Sequence, residues 1–228
     1  MTRLLVVEDD ADLRTAMRFF LEDEGHEVVD APTGEAALDV IAREQIDMVL
    51  LDLRLPGMSG LDVCRTVRRD SIVPIIIVSA RGDSHDLVAG LEAGADDYIV
   101  KPVVPHVLAA RVRALLRRLD LDRSAPASTV HVVGDLEIRA AEGRVLKAGE
   151  PVALTKTEFG LLVTFADHPN QVLSRDQLLE RVWGPEYVGD GRLVDSHIRR
   201  LRTKVEDDAD DPRLIVTVRG LGYRFHTE

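Results

Sequence analysis

Five short apolar runs punctuate the first half of the chain: RLLVV from Arg3, HEVVDA from His26, DMVLLD from Asp47, VPIIIVSA from Val73 and DYIVK from Asp97. Helical stripes separate them, with Leu13, Met17, Phe20 and Leu21 after Asp10, and Val104, Leu108, Val112, Leu115 and Leu119 after the last run. The runs from Leu4, Met48 and Ile75 are apolar without alternation, the pattern of strands buried on both faces. Strands of that kind need helices above and below them. Five strand–helix units therefore predict an α/β domain, a doubly wound five-stranded parallel sheet whose functional edge is the carboxyl ends of its strands.

The residues at that edge carry the chemistry. Glu8 and Asp9 follow the first run, Asp52 ends the third, Ser79 sits near the end of the fourth, and Lys101 ends the fifth. In a 2-1-3-4-5 sheet the strands ending at Asp9 and Asp52 are adjacent. Hard oxygen ligands there suit Mg²⁺, which takes a few carboxylates and several waters. A carboxylate can also attack phosphorus and hold an acyl phosphate, and Asp52 is the central one. Lys101 would place an ammonium on the phosphoryl oxygens and Ser79 would offer a hydroxyl. Taken singly, each acid is an ordinary solvated strand cap; their recurrence at successive strand ends favours a site. Pro102 biases Lys101 toward extended backbone and, if its peptide is cis, a tight turn.

Beyond residue 119 the pattern changes. Residues 120–129, DLDRSAPAST, lose both periodicities and read as a linker. Next come short antiparallel strands (VVGDLEI, RVLKAG, PVAL), then Thr155 with Glu158 three residues on, a capping box opening a helix. Ser174 caps a second helix that ends at Gly184 and Pro185, a third runs from about Arg192 to Val205, and LIVTVRGLGYRF closes the chain as a hairpin. Three helices with small sheets, over residues 130–228, suggest a winged helix-turn-helix. In the third helix Val194, Ile198, Leu201 and Val205 form the buried stripe, opposite Arg192, Ser196, Arg199 and Thr203, with Arg200 and Arg202 on the flanks.

Net charge is −11, with 14 Lys/Arg against 22 Asp/Glu in residues 1–120 and 14 against 17 in residues 130–228. Any nucleic-acid surface must therefore be a concentrated local one. Cys64 is the only cysteine and reads as a small core side chain. With no apolar stretch of about 18 residues and no leader before the first strand, a cytoplasmic protein is expected, without contact to membrane.

The motifs VVEDD at 6–10, LLDLRLPGMSG at 50–60, IIIVSA at 75–80, GADDYIVKP at 94–102, LTKTEFGLL at 154–162, LLERVWG at 178–184, RLVDSHIRRLRTKVE at 192–206 and TVRGLGYRF at 217–225 make the chain resemble the two-component response regulators of the OmpR/PhoB type over essentially its full length. The resemblance implies a flavodoxin-like receiver in residues 1–119 and a DNA-binding domain in 130–228. It makes Asp52 the aspartate phosphorylated by a sensor histidine kinase, Glu8 and Asp9 the acidic pair for Mg²⁺, and the Arg54 backbone carbonyl a further ligand. Ser79 becomes the hydroxyl that senses the phosphoryl group, Lys101 the phosphate-contacting lysine, and Tyr98 an aromatic that swings inward on activation.

By the same resemblance, Asp96, Asp97, Arg111 and Arg118 belong to a charge network pairing two receivers as a homodimer through helix 4, strand 5 and helix 5. Leu87 and Val107 stand where a basic and an acidic residue are expected, and an apolar contact would replace that ion pair. For promoter DNA, Asp195 and Arg200 are implied as base readers, Arg192, His197, Arg199, Arg202 and Thr217 as backbone contacts, and Arg219 as a minor-groove contact from the Gly-rich turn. Periodicity alone favours Arg199 over Arg200. RNA polymerase is the expected further partner. The function implied is phosphorylation-dependent transcription control, not enzymatic turnover of an external substrate. The alternative is a DNA-binding or architectural protein that uses its receiver only for assembly, independent of phosphorylation; a metal phosphatase of the same architecture would lack the second half's DNA geometry.

Overall fold

The computed structural model describes residues 2–80, 84–121, 130–185, 187 and 190–227, the side chains of 84–87 and 117–121 excepted. The chain divides into two compact units, Met1–Val112 and Arg113–Glu228. Among the described residues no helix is long and apolar enough to cross a membrane.

Residues 3–121 alternate strictly: β1 (Arg3–Val7), α1 (Ala11–Asp23), β2 (Glu27–Ala31), α2 (Gly34–Arg43), β3 (Met48–Asp52), α3 (Gly60–Asp70), β4 (Ile75–Ala80), α4 (Ser84–Ala93), β5 (Asp97–Lys101) and α5 (Pro105–Leu121). The strands pair in parallel in the order β2-β1-β3-β4-β5, as the sequence predicts. Central β1, β3 and β4 are buried almost throughout, whereas the edge strands β2 and β5 are partly exposed. Side-chain caps open the first three helices: Asp10 accepts from the N–H groups of Asp12 and Leu13, Thr33 caps α2 and Ser59 caps α3. These short connections keep the polar residues of the turns at the carboxyl edge. Helix α5 continues to Leu121, past the boundary expected at 119, because Leu and Arg are good helix formers and neither Gly nor Pro intervenes. The remainder of the expected linker, 122–129, lies outside the described residues.

The second unit opens with an antiparallel meander, β6 (Val130–Val133), β7 (Leu136–Arg139), β8 (Arg144–Lys147) and β9 (Glu150–Pro151). Three helices follow, α6 (Lys156–Ala166), α7 (Arg175–Trp183) and α8 (Gly191–Val205), and then the hairpin β11 (Ile215–Val218) and β12 (Gly222–Phe225). The capping box of Thr155 and Glu158 forms as expected, and Ser174 with Gln177 makes a second one at α7. A two-residue strand, β10 (Val172–Leu173), joins the hairpin in a sheet of order β10-β12-β11. Gly222 permits that union, since a Cβ there would fall 2.1 Å from the Leu173 carbonyl oxygen. The core between the helices is filled by Phe165, Leu178, Trp183, Ile198, Leu201 and Phe225, all fully or nearly fully buried. This is the three-helix, winged arrangement expected from the sequence.

Candidate metal centre and nucleic-acid interface

The strand order brings Glu8, Asp9, Asp52 and Lys101 together at the carboxyl edge of the parallel sheet. Lys101 Nζ lies 2.6 Å from Asp52 Oδ2 and 2.8–2.9 Å from the two Glu8 carboxylate oxygens. Glu8, Asp9 and Asp52 each offer a carboxylate oxygen within 4.8 Å of the others. Glu8 and Asp52 are buried and Asp9 is exposed. Burial pushes the Glu8 carboxyl above its ordinary pKa and the nearby Asp52 charge adds to this, despite the hydrogen bond from Lys101. Burial by itself would lower the Lys101 ammonium, but hydrogen bonds to Asp52 and Glu8 outweigh it and hold its pKa above the ordinary lysine value. The Lys101–Pro102 peptide is cis.

Supporting contacts hold the acids in place. The Arg54 N–H donates to Asp52 Oδ1 at 3.0 Å, so the loop that carries the Arg54 carbonyl is tied to the acceptor carboxylate. Arg14, which the sequence reading did not single out, donates from Nη1 to the carbonyls of Glu8 (2.7 Å) and Asp9 (3.2 Å) and from Nε to Asp30 at 3.1 Å. It clamps the turn carrying the acidic pair against the end of β2. Ser79 Oγ is buried and has no hydrogen-bond partner among the described residues. Three carboxylates facing one ammonium leave about two negative charges over, the deficit a divalent cation fills, and the orphaned Ser79 hydroxyl is equipped for an added oxyanion. The residues therefore fit Mg²⁺ and a phosphoryl group.

On the α4–β5–α5 face the structure corrects part of the expected charge network. Asp96 is fully buried and turned away from that face: it accepts from Arg68 Nη2 of α3 at 2.8 Å and from the Ile75 N–H at 3.0 Å. Asp97, also fully buried, binds Arg111 through both oxygens at 2.8 and 3.0 Å, a clamp of β5 to α5 within one chain. Tyr98 is half-buried with Arg111 5.9 Å from its ring centroid. Val107 is half-buried, and the side chains of Leu87 and Arg118 lie outside the described residues. Among its described residues these elements expose Val88, Val100 and Val104, each about two-fifths accessible.

On α8 the expected buried stripe forms and is joined by Leu193 and His197. His197 is a correction: it is fully buried, its ring 5.5 Å from that of Trp183, and so is packed away from any phosphate backbone. Trp183 is core. Arg200 has its guanidinium 2.8 Å from the fully buried carboxylate of Glu158, which also binds Lys204 at 2.6 Å. Asp195 is engaged by Arg175 Nε at 2.7 Å and by the Tyr223 hydroxyl at 2.6 Å. Arg202 donates to the Ile215 carbonyl and to Thr217 Oγ1, with the Tyr223 ring beneath it. Arg192, Arg199, Thr217 and Arg219 are exposed, and Arg192 bonds its own cap residue Asp190. Glu158 was legible as a cap but not as the grip on α8, since its partners lie more than forty residues away.

Two family models match the chain: the response regulator receiver domain over residues 4–113, and the C-terminal domain of transcriptional regulatory proteins over residues 149–225. Transcriptional regulatory protein AfsQ1 of Streptomyces coelicolor is 48% identical over 225 residues, covering 99% of this chain and 98% of its own. DNA-binding response regulator MtrA of Mycolicibacterium smegmatis is 47% identical, covering 97% and 96%. Among solved structures, a mutant of RitR superposes with a TM-score of 0.81 at 31% identity, covering 99% of both chains. DrrB of Thermotoga maritima, an OmpR/PhoB homologue, matches at a TM-score of 0.52 and 34% identity, also over 99% of both. With a receiver joined to a C-terminal regulatory domain, the chain belongs to the response regulators of the OmpR/PhoB type.

Proposed function

We propose that the chain is a transcription regulator switched by phosphorylation of Asp52. The observation that carries this is the Lys101 ammonium held between Asp52 and Glu8, with three carboxylates converging beside it, in a chain whose other half has an arginine-lined helix. Residues 1–119 act as the receiver, 120–129 as the connecting segment and 130–228 as the DNA-binding domain. Asp52 attacks the phosphorus of a phosphohistidine on a sensor kinase; the N–P bond breaks, the imidazole leaves, and an acyl phosphate forms. Mg²⁺, held by Glu8, Asp9, Asp52 and the Arg54 carbonyl, supplies neutralising charge for the transferring oxygens when bound. Lys101 shifts its ammonium from the carboxylates to a phosphoryl oxygen. The Ser79 hydroxyl donates to another, drawing the end of β4 inward and making room for Tyr98.

That shift favours a homodimer through α4, β5 and α5, built on the exposed valines rather than on Asp96. Two DNA-binding domains then act on promoter DNA at high effective concentration, each with α8 in the major groove and the Arg219 turn at the minor groove. The site of action is the cytoplasm, with RNA polymerase as the further partner. The test is intact-mass spectrometry after acetyl phosphate and Mg²⁺. Wild type should gain one phosphoryl group and Asp52→Asn none; equal labelling of both would remove Asp52 from the role. Genome-wide occupancy unchanged by Asp52→Asn would instead favour the phosphorylation-independent, architectural alternative.

A further inference from the structure

Helix α2 bears on the loop that carries the Arg54 carbonyl. That loop, residues 53–59, joins β3 to α3. Two hydrogen bonds stay within this segment: the Arg54 N–H donates to Asp52 Oδ1 and the Gly60 N–H to the Leu53 carbonyl, each at 3.0 Å. A third crosses to α2, where the exposed Glu35 accepts from the Met58 N–H through Oε1 at 3.1 Å, 23 positions away in sequence. The bend at Gly57, with φ +75°, leaves room for that carboxylate, since a Cβ on Gly57 would fall 2.9 Å from the same Oε1. Gly34 brings the start of α2 equally close. A Cβ there would fall 2.9 Å from the Met58 carbonyl oxygen and 2.7 Å from Val63 Cγ2 of α3. Two glycines thus clear the way for one carboxylate–amide bond, which is charge-assisted and stronger than a neutral one.

Resting on the phosphorylation reading above, we propose that Glu35 is a positioning residue for the metal centre. It touches neither the cation nor the phosphoryl group; it pins to α2 the far end of the loop whose near end carries the Arg54 carbonyl. Without that bond the loop keeps its ties to its own ends and loses the one to α2. The Arg54 carbonyl then samples more positions, and ordering it around Mg²⁺ costs more. Glu35 therefore acts on affinity for the metal and leaves the attack by Asp52 unchanged. Asp39, likewise exposed and one turn further along the same helix face, carries an equal charge and serves as the control for electrostatics alone.

The experiment uses the full chain. Mg²⁺ binding is titrated by calorimetry, amide hydrogen exchange across residues 53–60 is followed by mass spectrometry without metal, and labelling by acetyl phosphate is timed at rising Mg²⁺. Glu35→Ala should weaken Mg²⁺ binding roughly 5-fold, the size of one net hydrogen bond. It should also speed exchange across 53–60 and label at the wild-type rate once Mg²⁺ saturates. Glu35→Gln, which keeps a carbonyl oxygen for the Met58 N–H, should restore both binding and exchange, and Asp39→Ala should match wild type. The proposal is overturned if Glu35→Ala binds Mg²⁺ and exchanges like wild type. It is equally overturned if Glu35→Gln and Asp39→Ala weaken binding as much as Glu35→Ala, which would assign the effect to charge, or if labelling of Glu35→Ala stays depressed at saturating Mg²⁺. A wild-type chain that gains no phosphoryl group would overturn the phosphorylation reading and this proposal with it, so the two failures are told apart.

Discussion

Replacing Gly60 by alanine probes how α3 and β3 together hold Asp52. Gly60 opens α3 against the end of β3, and a Cβ there would fall 2.0 Å from the Asp52 carbonyl oxygen, 2.8 Å from Leu53 Cα and 2.9 Å from the Asp52 carbonyl carbon. All three are backbone atoms, so no rotamer change gives relief. The Gly60 N–H also donates to the Leu53 carbonyl at 3.0 Å, which ties the two segments together. Ordinary contact requires about 3.5 Å, so the helix start and the strand end must part by roughly 1 Å or more. Overpacking costs about 1–3 kcal/mol, and a backbone obstacle puts this site near the upper figure.

For a receiver of this size that is a fall of about 10–20 °C in Tm. Asp52 moves with its own carbonyl, and a misplacement of about 1 Å at a reacting group lowers rates by roughly 100-fold. Calorimetry of the full chain in Mg²⁺, with initial rates of labelling by acetyl phosphate, measures both. Gly160→Ala is the control. Its Cβ would meet only Val182 Cγ1, at 3.5 Å, inside α6. The helix should therefore gain about 1 kcal/mol and leave labelling untouched. A Gly60→Ala chain that melts and labels like wild type would refute the reasoning.

Asp9→Ala should abolish most Mg²⁺ binding in a calorimetric titration, and Arg14→Gln should weaken it about 10-fold through the freed Glu8–Asp9 turn; wild-type affinity in both would remove that turn from the site. Val88→Asp should shift the phosphorylated chain toward monomer in sedimentation, while salt barely alters the wild-type dimer, because apolar burial is unscreened. A salt-labile dimer indifferent to Val88 would place the interface elsewhere. Burial, aided by the hydrogen bond to Asp195, pushes the Tyr223 hydroxyl up to about 12, so the folded second unit keeps a proton that the unfolded chain releases near pH 10. That contribution is complete below about pH 10 and is lost, at about 1.4 kcal/mol per pH unit, as pH climbs through about 12. Urea unfolding at about pH 9 and about pH 11 should show the decline in wild type and less of it in Tyr223→Phe; equal slopes would discount the Tyr223–Asp195 bond.

The carboxyl-edge site was readable because its parts are local and its geometry is topological. Glu8, Asp52 and Lys101 each end an apolar run, and once those runs are parallel neighbours they have nowhere else to converge. The failures have physical causes that differ from one another. Strand β10 is two residues long, too short to carry any periodicity. Gly60 has no side chain to declare itself, and its necessity arises only when α3 meets β3. Asp96 and Asp97 read as one charged pair, yet Asp96 lies in the bend before β5 while Asp97 opens the strand, and the two acids turn to different partners. Asp97 meets Arg111 of α5, and Asp96 meets Arg68 of α3, 28 positions away in sequence. His197 was open to the same kind of correction, since it lies three residues beyond Val194 and four before Leu201, on the buried side of the helix.

Arg200 is a different case. Its angle on the helix marks it as a flank residue, but whether a flank arginine reaches outward or inward depends on what the neighbouring helix offers. Here that is Glu158, a carboxylate whose capping role is legible from three residues and whose grip on α8 requires the fold. A buried carboxylate recruits whichever cations lie within reach, because leaving it unpaired is costlier than withdrawing an arginine from the surface. The arginine nearest the core is thus the one that answers the buried carboxylate.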